Sequence, residues 1–187
     1  MEKNMLTAER LRELIHYDPE TGVFRRKVAL SNVSTVGGVA GNYTKGYWEL
    51  SVDGNRYAAH RLAWFYVYGR WPSGQIDHIN GIPDDNRIAN LRDATPTENC
   101  YNKGPTRRST SGVKGVSWDR KKRKWRAQCT VSGKQYHQGY FKNLADAESA
   151  ARLFREINHG QFARTTTVER KQAKKKPGRE VARPGLF

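Results

Sequence analysis

The chain reads as an α+β protein built from two small units, and three observations say so. Short alternating segments bounded by Gly, Asn and Asp recur along its length, as strands and hairpins require. Between them lie segments with apolar residues at helical spacing. The charge is split: Met1 to Tyr101 carries 12 basic and 12 acidic residues, whereas Asn102 to Phe187 carries 22 and 6. A length of 187 residues suits two small domains.

Such a split points to a polyanion, most often nucleic acid, because phosphates neutralised by Lys and Arg release condensed counterions. An anionic membrane competes poorly. No apolar run approaches the ~20 residues of a spanning helix, and "MEKNMLTAERLREL" lacks the apolar stretch of a secretory signal. The protein is therefore expected in a cytoplasm. Its two cysteines, Cys100 and Cys129, form no CxxC pair, so neither a disulfide framework nor a four-thiolate zinc knuckle is available. Both read as small packing residues.

The elements follow in order. "LTAERLRELIHYD" predicts a short helix capped by Thr7, with Leu11, Leu14 and Ile15 on one face. "GVFRRK" and "GYWELSVDGNRYAAH" predict strands, the latter folded into a hairpin at Asp53-Gly54-Asn55. "HRLAWFYVYG" predicts a helix presenting Leu62, Phe65 and Tyr66 and ended by Gly69. "PSGQIDHI" predicts a strand entering a loop, "PDDNRIANLR" a loop or turn, and "TPTENCYNK" a helix capped by Thr95 or Thr97. "NKGPTRRSTSG" has no hydrophobic period and reads as a linker over 103–110. "GVKGVSWD", "KWRAQCTVSG" and "KQYHQGYF" predict three strands, the last two turned at Ser132-Gly133. "NLADAESAARLFREINHG" predicts a helix capped by Asn143 and closed by Gly160, with Leu144, Ala147, Ala151, Phe154 and Ile157 on its inner face. The basic tail, 165–187, has too little apolar surface to offset its ordering entropy and is expected to be disordered.

A three-stranded sheet with one helix behind it leaves one face free. Alternation assigns Lys114, Arg126, Gln128 and Thr130 to that face, and Val116, Ala127 and Cys129 to the buried one. A twisted ribbon of this width fits the major groove, where Arg, Lys and Gln reach base edges. Trp118, Trp125, Tyr140 and Phe141 read first as packing residues, and His137 and His159 as surface or capping residues.

Ser111 to Arg164, through "GVSWD", "KWRAQ", "GYF", "AESAARLF" and "HGQFAR", resembles the Apetala-type (ethylene-response-factor-like) DNA-binding domain of plant regulators and of many phage and mobile-element nucleases. The resemblance implies that the sheet lies in the major groove of double-stranded DNA, with Lys114, Ser117, Gln128 and Thr130 at positions that approach it.

In "GQIDHINGIPDDNRIANLRDATPTENCYN" an acid and a histidine are adjacent at Asp77 and His78, with Asn86, Asn90 and Asn99 downstream. Cutting a phosphodiester needs an activated water, a cation for the charge growing at phosphorus, and help for the leaving oxygen. The amide oxygen of Asn99 is a hard ligand suited to magnesium, which is content with one or two protein oxygens. Taken alone, Asn86 and Asn90 read as turn residues, and His60 as a packing residue or a phosphate contact.

"DHINGIPDDNRIANL", with the lead-in "AHRLAW", resembles the HNH endonuclease family in its asparagine-containing branch, and the likeness runs from about Tyr17 to Asn102. It implies a ββα-metal nuclease domain over 1–102. His78 becomes the general base and Asp77 and Asn99 the ligands of Mg2+ or Mn2+. Asn90 becomes the loop asparagine whose side chain ties the two strands and orients the histidine, and Asn86 stays a turn residue. Where other branches carry a further imidazole, this chain has Lys103, which disfavours zinc and leaves a lysine for phosphate. Arg61 and Arg92 are phosphate-clamp candidates. Together the two likenesses imply a metal-dependent DNA endonuclease of phage or mobile-element type with a homing-like role, in the host cytoplasm if phage-encoded. It would act as a monomer in the simplest case, or as a dimer for double-strand cleavage. The rivals are a DNA-binding regulator with a silent nuclease domain and an RNA-binding module.

Overall fold

The computed structural model describes residues 6–29, 35–44, 46–106 and 108–164. Among these residues the chain is mixed α+β, with four helices and four small antiparallel sheets. The tail beyond 164, expected to be disordered, lies outside the described residues.

The first half wraps several short elements around one apolar cluster. Helix α1 (Ala8–Leu14) is capped as predicted, Thr7 Oγ1 accepting from Arg10 N at 3.1 Å. It runs directly into β1 (Ile15–Tyr17), paired with β2 (Phe24–Arg26). Ile15 thus opens a strand where the periodicity predicted the helix to continue. Strands β3 (Asn42–Thr44), β4 (Tyr47–Val52) and β5 (Asn55–Ala58) form a meander, and Asp53 and Gly54 make the predicted tight turn with φ of 46° and 78°. Helix α2 (Ala59–Tyr68) ends on Gly69 in the left-handed conformation. Leu11, Tyr17, Leu50, Leu62, Phe65, Ile76 and Leu91 are buried together, and Trp71 stacks on Phe65 with ring centroids 4.2 Å apart.

Strand β6 (Gln75–His78) pairs with β7 (Leu91–Ala94), placing Asp77 opposite Arg92 and His78 opposite Leu91. The sequence treated 83–92 as loop or turn. The structure instead forms a single 3-10 turn at Ile88–Asn90 and then β7, because Leu91 and Ala94 supply the buried positions of a strand. Helix α3 (Pro96–Asn102) follows. Its Thr95 cap is reinforced by Glu98, whose carboxylate accepts from Thr95 N at 2.8 Å, and by proline in its first turn.

The three predicted strands of the second half are β8 (Val116–Asp119), β9 (Lys124–Val131) and β10 (Lys134–Phe141), in the order β10-β9-β8. Ser132 and Gly133, at φ 47° and 80°, repeat the turn found at Asp53-Gly54. Helix α4 (Leu144–His159) packs on β9 and β10. Its buried residues are Ala147, Ala151, Arg155 and His159, spaced four apart, whereas Ile157 is 73% exposed. The predicted inner face was too apolar: the helix turns two polar side chains inward, because Arg155 bonds the Lys114 carbonyl and His159 the Thr130 carbonyl, while the His159 ring stacks on Tyr101. The Asn143 side chain donates to Asp146 and makes no capping bond.

Candidate active site

Asp77 and His78 are both buried, at 5% and 7% exposure, yet both border one cleft of about 410 Å³ shared with His60, Arg61, Asn99 and Lys103. A buried acid and imidazole persist only when their polar atoms are satisfied.

For Asp77 the partners are Arg92 and Asn102. Arg92 Nε and Nη2 both donate to Oδ2, at 2.8 and 2.6 Å. Asn102 Nδ2 donates to Oδ1 at 2.9 Å and to Oδ2 at 3.1 Å, and also reaches the carbonyl of His78 at 2.7 Å. Asn102 was missed at the sequence level. It is three residues after Asn99 and therefore on a neighbouring face of α3, and that spacing was the signal available.

For His78 the partner is Asn86, whose Oδ1 lies 3.2 Å from Nε2. An amide oxygen cannot donate, so this bond places the proton on Nε2 and leaves Nδ1 as the basic nitrogen. Burial pushes the imidazole below its ordinary pKa, opposed by the Asn86 bond and by Asp77, Asp85 and Asp84. The ring is therefore neutral near pH 7, as a proton acceptor must be. The His60 ring meets it edge-on at 5.3 Å, and its pKa is pushed down to about 4 by burial, then by His78 and Arg61.

This geometry corrects the reading of Asn86 and narrows that of Asn90. Asn86, read as a turn residue, is 3% exposed and is the side chain that touches the histidine; its own backbone carbonyl accepts from Tyr17 Oη at 2.7 Å. Asn90, read as tying the two strands and orienting the histidine, does tie the exit of β6 to the entry of β7 but does not touch the ring. Its Oδ1 accepts from Asn80 N at 3.0 Å and its Nδ2 donates to the Asp85 carbonyl at 2.7 Å. Its influence on His78 passes through the loop that carries Asn86.

Asn99 donates through Nδ2 to Gln75 Oε1 at 2.6 Å, which commits the amide nitrogen and leaves its Oδ1 as the available acceptor. Among the described residues Asp77 Oδ1 receives the Asn102 amide and no other donor, so the carboxylate keeps acceptor capacity. One carboxylate and one amide oxygen on the same cleft form a hard-donor set that fits magnesium or manganese. Among the described residues no group of three or more His, Cys, Asp or Glu is placed to hold a metal.

The DNA-contact candidates separate. Arg61 donates to the Gly74 carbonyl at 3.1 Å and borders the cleft, as does Lys103. Arg92 is not a free phosphate clamp: besides Asp77 it donates to the Gln161 carbonyl and lies 4.0 Å from the centre of the Phe162 ring. Lys114 is not on the open face of the sheet. Its ammonium donates to the carbonyls of Cys100 and Tyr101, at 3.0 and 2.7 Å, and burial pushes its pKa down to about 8. Ser117, Arg126, Gln128 and Thr130 alternate with the buried Val116, Ala127 and Cys129; Arg126 faces Ser117 across the strands, Nη2 to Oγ at 3.4 Å. His159, expected at the surface, is buried and stacks flat on Tyr101 at 3.7 Å, and Cys100, expected to pack, is exposed.

Comparison with known proteins places residues 57–101 within a family described as HNH endonuclease. Over 108 residues the chain is 39% identical to Protein 3.8 of Escherichia phage T7, an alignment covering 56% of this chain and 87% of that protein. Over 130 residues it is 28% identical to an uncharacterized HNH endonuclease of Acanthamoeba polyphaga mimivirus, covering 67% of this chain and 65% of that protein. No solved structure matches.

Proposed function

Because the chain belongs to the HNH endonuclease family, we propose that it is a metal-dependent endonuclease that hydrolyses DNA phosphodiester bonds, nicking or cutting both strands. In this reading the three-stranded sheet delivers it to duplex DNA. The observation that carries the proposal is a buried, neutral His78 held by Asn86 beside two hard oxygen donors, Asp77 and Asn99, on one cleft.

His78 is the general base: Nε2 is tied to Asn86, so Nδ1 takes the proton from the attacking water. Its neutrality near pH 7 keeps that nitrogen available. A divalent cation held by Asp77 and Asn99 would supply charge neutralisation at the scissile phosphate and at the departing 3′ oxygen. Arg61 and Lys103, on the same cleft, position the phosphate backbone. Ser117, Arg126, Gln128 and Thr130 are the residues proposed to meet the major groove, with the resemblance of Ser111 to Arg164 to Apetala-type domains as support. The products would carry 5′ phosphate and 3′ hydroxyl, and the phage and giant-virus relatives support a mobile-element role.

Supercoiled plasmid incubated with protein and Mg2+ or Mn2+ tests this. Wild type is expected to relax or linearise it, and His78→Ala to lose ~10²–10⁴-fold in rate. Equal survival of the plasmid with both proteins, across varied sequences, would remove the nuclease reading. A second reading, a DNA-binding protein with a silent nuclease half, is favoured by the Asp77–Arg92 ion pair, which satisfies the acid without a cation. It predicts a gel shift on duplex DNA with no cleavage in either metal.

A further inference from the structure

The two partners that hold Asp77, Arg92 and Asn102, are themselves held by one short segment of the second half. The 3-10 turn Gly160–Phe162 follows α4 and contacts α3. Its Gln161 carbonyl accepts from Arg92 Nη1, and the buried Phe162 ring covers the same guanidinium at 4.0 Å. Two residues later Arg164 Nη1 donates to the Asn102 carbonyl at 2.9 Å. The Arg164 guanidinium also lies against Gly81, in the loop just beyond His78, where any side chain on residue 81 would occupy its place. Asp77, Asn102 and the carbonyls of His78 and Ile79 thus share one hydrogen-bonded network with Gln161 and Arg164, against which Phe162 and Gly81 pack.

We propose that Gly160–Arg164 is a working part of the nuclease centre: Phe162 and Arg164 are positioning residues that set the Asp77 carboxylate through Arg92 and Asn102. A division of labour at Asn102, with the second half only delivering DNA, leaves these contacts without a purpose. Holding a guanidinium fork on a carboxylate in one geometry takes support on the far side of the fork, since the long arginine side chain has many rotamers to leave. Here that support is a backbone carbonyl plus an aromatic face.

The proposal rests on Asp77 being a cation ligand, and the test separates the two ideas. Phe162→Ala, Arg164→Ala and Arg164→Lys are made in the full chain and compared by three measurements. The first is duplex binding by gel shift without metal. The second is the Mg2+ concentration giving half-maximal plasmid cleavage. The third is amide hydrogen exchange across 77–81, with the β4–β5 hairpin as internal control. The expected result is DNA affinity within ~2-fold of wild type and a Mg2+ requirement raised ~10-fold in both alanine variants. Exchange at 77–81 should be faster and the hairpin unchanged, with Arg164→Lys partly restoring both properties. An unaltered Mg2+ requirement together with unaltered exchange at 77–81 overturns the proposal. So does a loss confined to DNA affinity, which would make Arg164 a phosphate contact. If wild type does not cut at all, the nuclease reading fails, and the exchange measurement alone still decides whether this segment holds the Asp77 strand.

Discussion

The two halves of the molecule use apolar mass in opposite ways. Up to Asn102 a broad cluster including Tyr17, Leu50, Leu62 and Phe65 is buried, with Trp48, Trp64 and Trp71 packed against it. From Ser111 onward the equivalent cluster of buried residues is Val116, Ala127, Ala147 and Ala151, three of them alanines. What the second half lacks in core it makes up in contacts with α3. Lys114 bonds the helix carbonyls, His159 stacks on Tyr101, and Tyr101 Oη accepts from Ser132 N at 2.9 Å. A sheet-and-helix unit of this size is marginal by area burial alone. The first half can therefore carry a buried acid and imidazole as a cost, while the second depends on the first for part of its stability.

The sharpest way to break that comparison is to change the volume filled in each core. Leu62 is fully buried, so Leu62→Ala should cost ~2–5 kcal/mol and lower the unfolding midpoint read by the tryptophans of the first half. In the second half the corresponding change is overpacking: Ala151→Leu, at a fully buried site on α4 facing the sheet, should cost ~1–3 kcal/mol. If Ala151→Leu proves the larger, the second core is not the looser one.

A smaller effect comes from acid. His60 has a folded pKa of about 4, well below its ordinary 6.5, so the unfolded chain binds the extra proton first. The resulting penalty on the fold is absent above pH 6.5 and grows as the pH falls from 6.5 toward 4, to ~3 kcal/mol in all. The groups responsible beyond burial are His78 and Arg61, both in the first half. Denaturant midpoints between pH 7 and 4.5 should fall less in His60→Gln than in wild type. Equal falls would mean that another group carries the acid sensitivity.

The contrast between halves also explains what the sequence disclosed. Thr7, Thr95, Gly69 and the two turns announce themselves because caps and tight turns need particular residues at fixed offsets. The second half's strands were legible because Val116, Ala127 and Cys129 alternate cleanly. Arg155 and His159 were not, since a polar residue on a helix is read as exposed unless its partner is known, and theirs lie on β9, β8's lead-in and α3. Within the site, adjacency made Asp77 and His78 conspicuous. The contact of Asn86 with His78 was invisible because it is settled by how the loop between β6 and β7 folds back, and that of Asn102 because it depends on how α3 docks on β6. Arg92 illustrates the same limit: an arginine looks like a phosphate contact until a carboxylate is found opposite it in the strand register.

The smallest predicted effect is the most discriminating, because nature supplies a matched pair. Gly54 and Gly133 occupy the same position of the same turn, at φ 78° and 80°, and a methyl group added to either meets nothing within 4 Å. Gly54→Ala and Gly133→Ala therefore impose the same local penalty, the left-handed strain of an L-residue, ~1 kcal/mol each. Any difference in how the penalty is felt reports the unit that absorbs it. Should the chain unfold as one body, both substitutions shift a single transition equally. Should the lean half open first, Gly133→Ala moves an early transition seen through Trp118 and Trp125, while Gly54→Ala moves only the later one seen through Trp48, Trp64 and Trp71. A single coincident transition in both variants would show that the seam on α3 is strong enough to fuse two unequal cores into one cooperative unit.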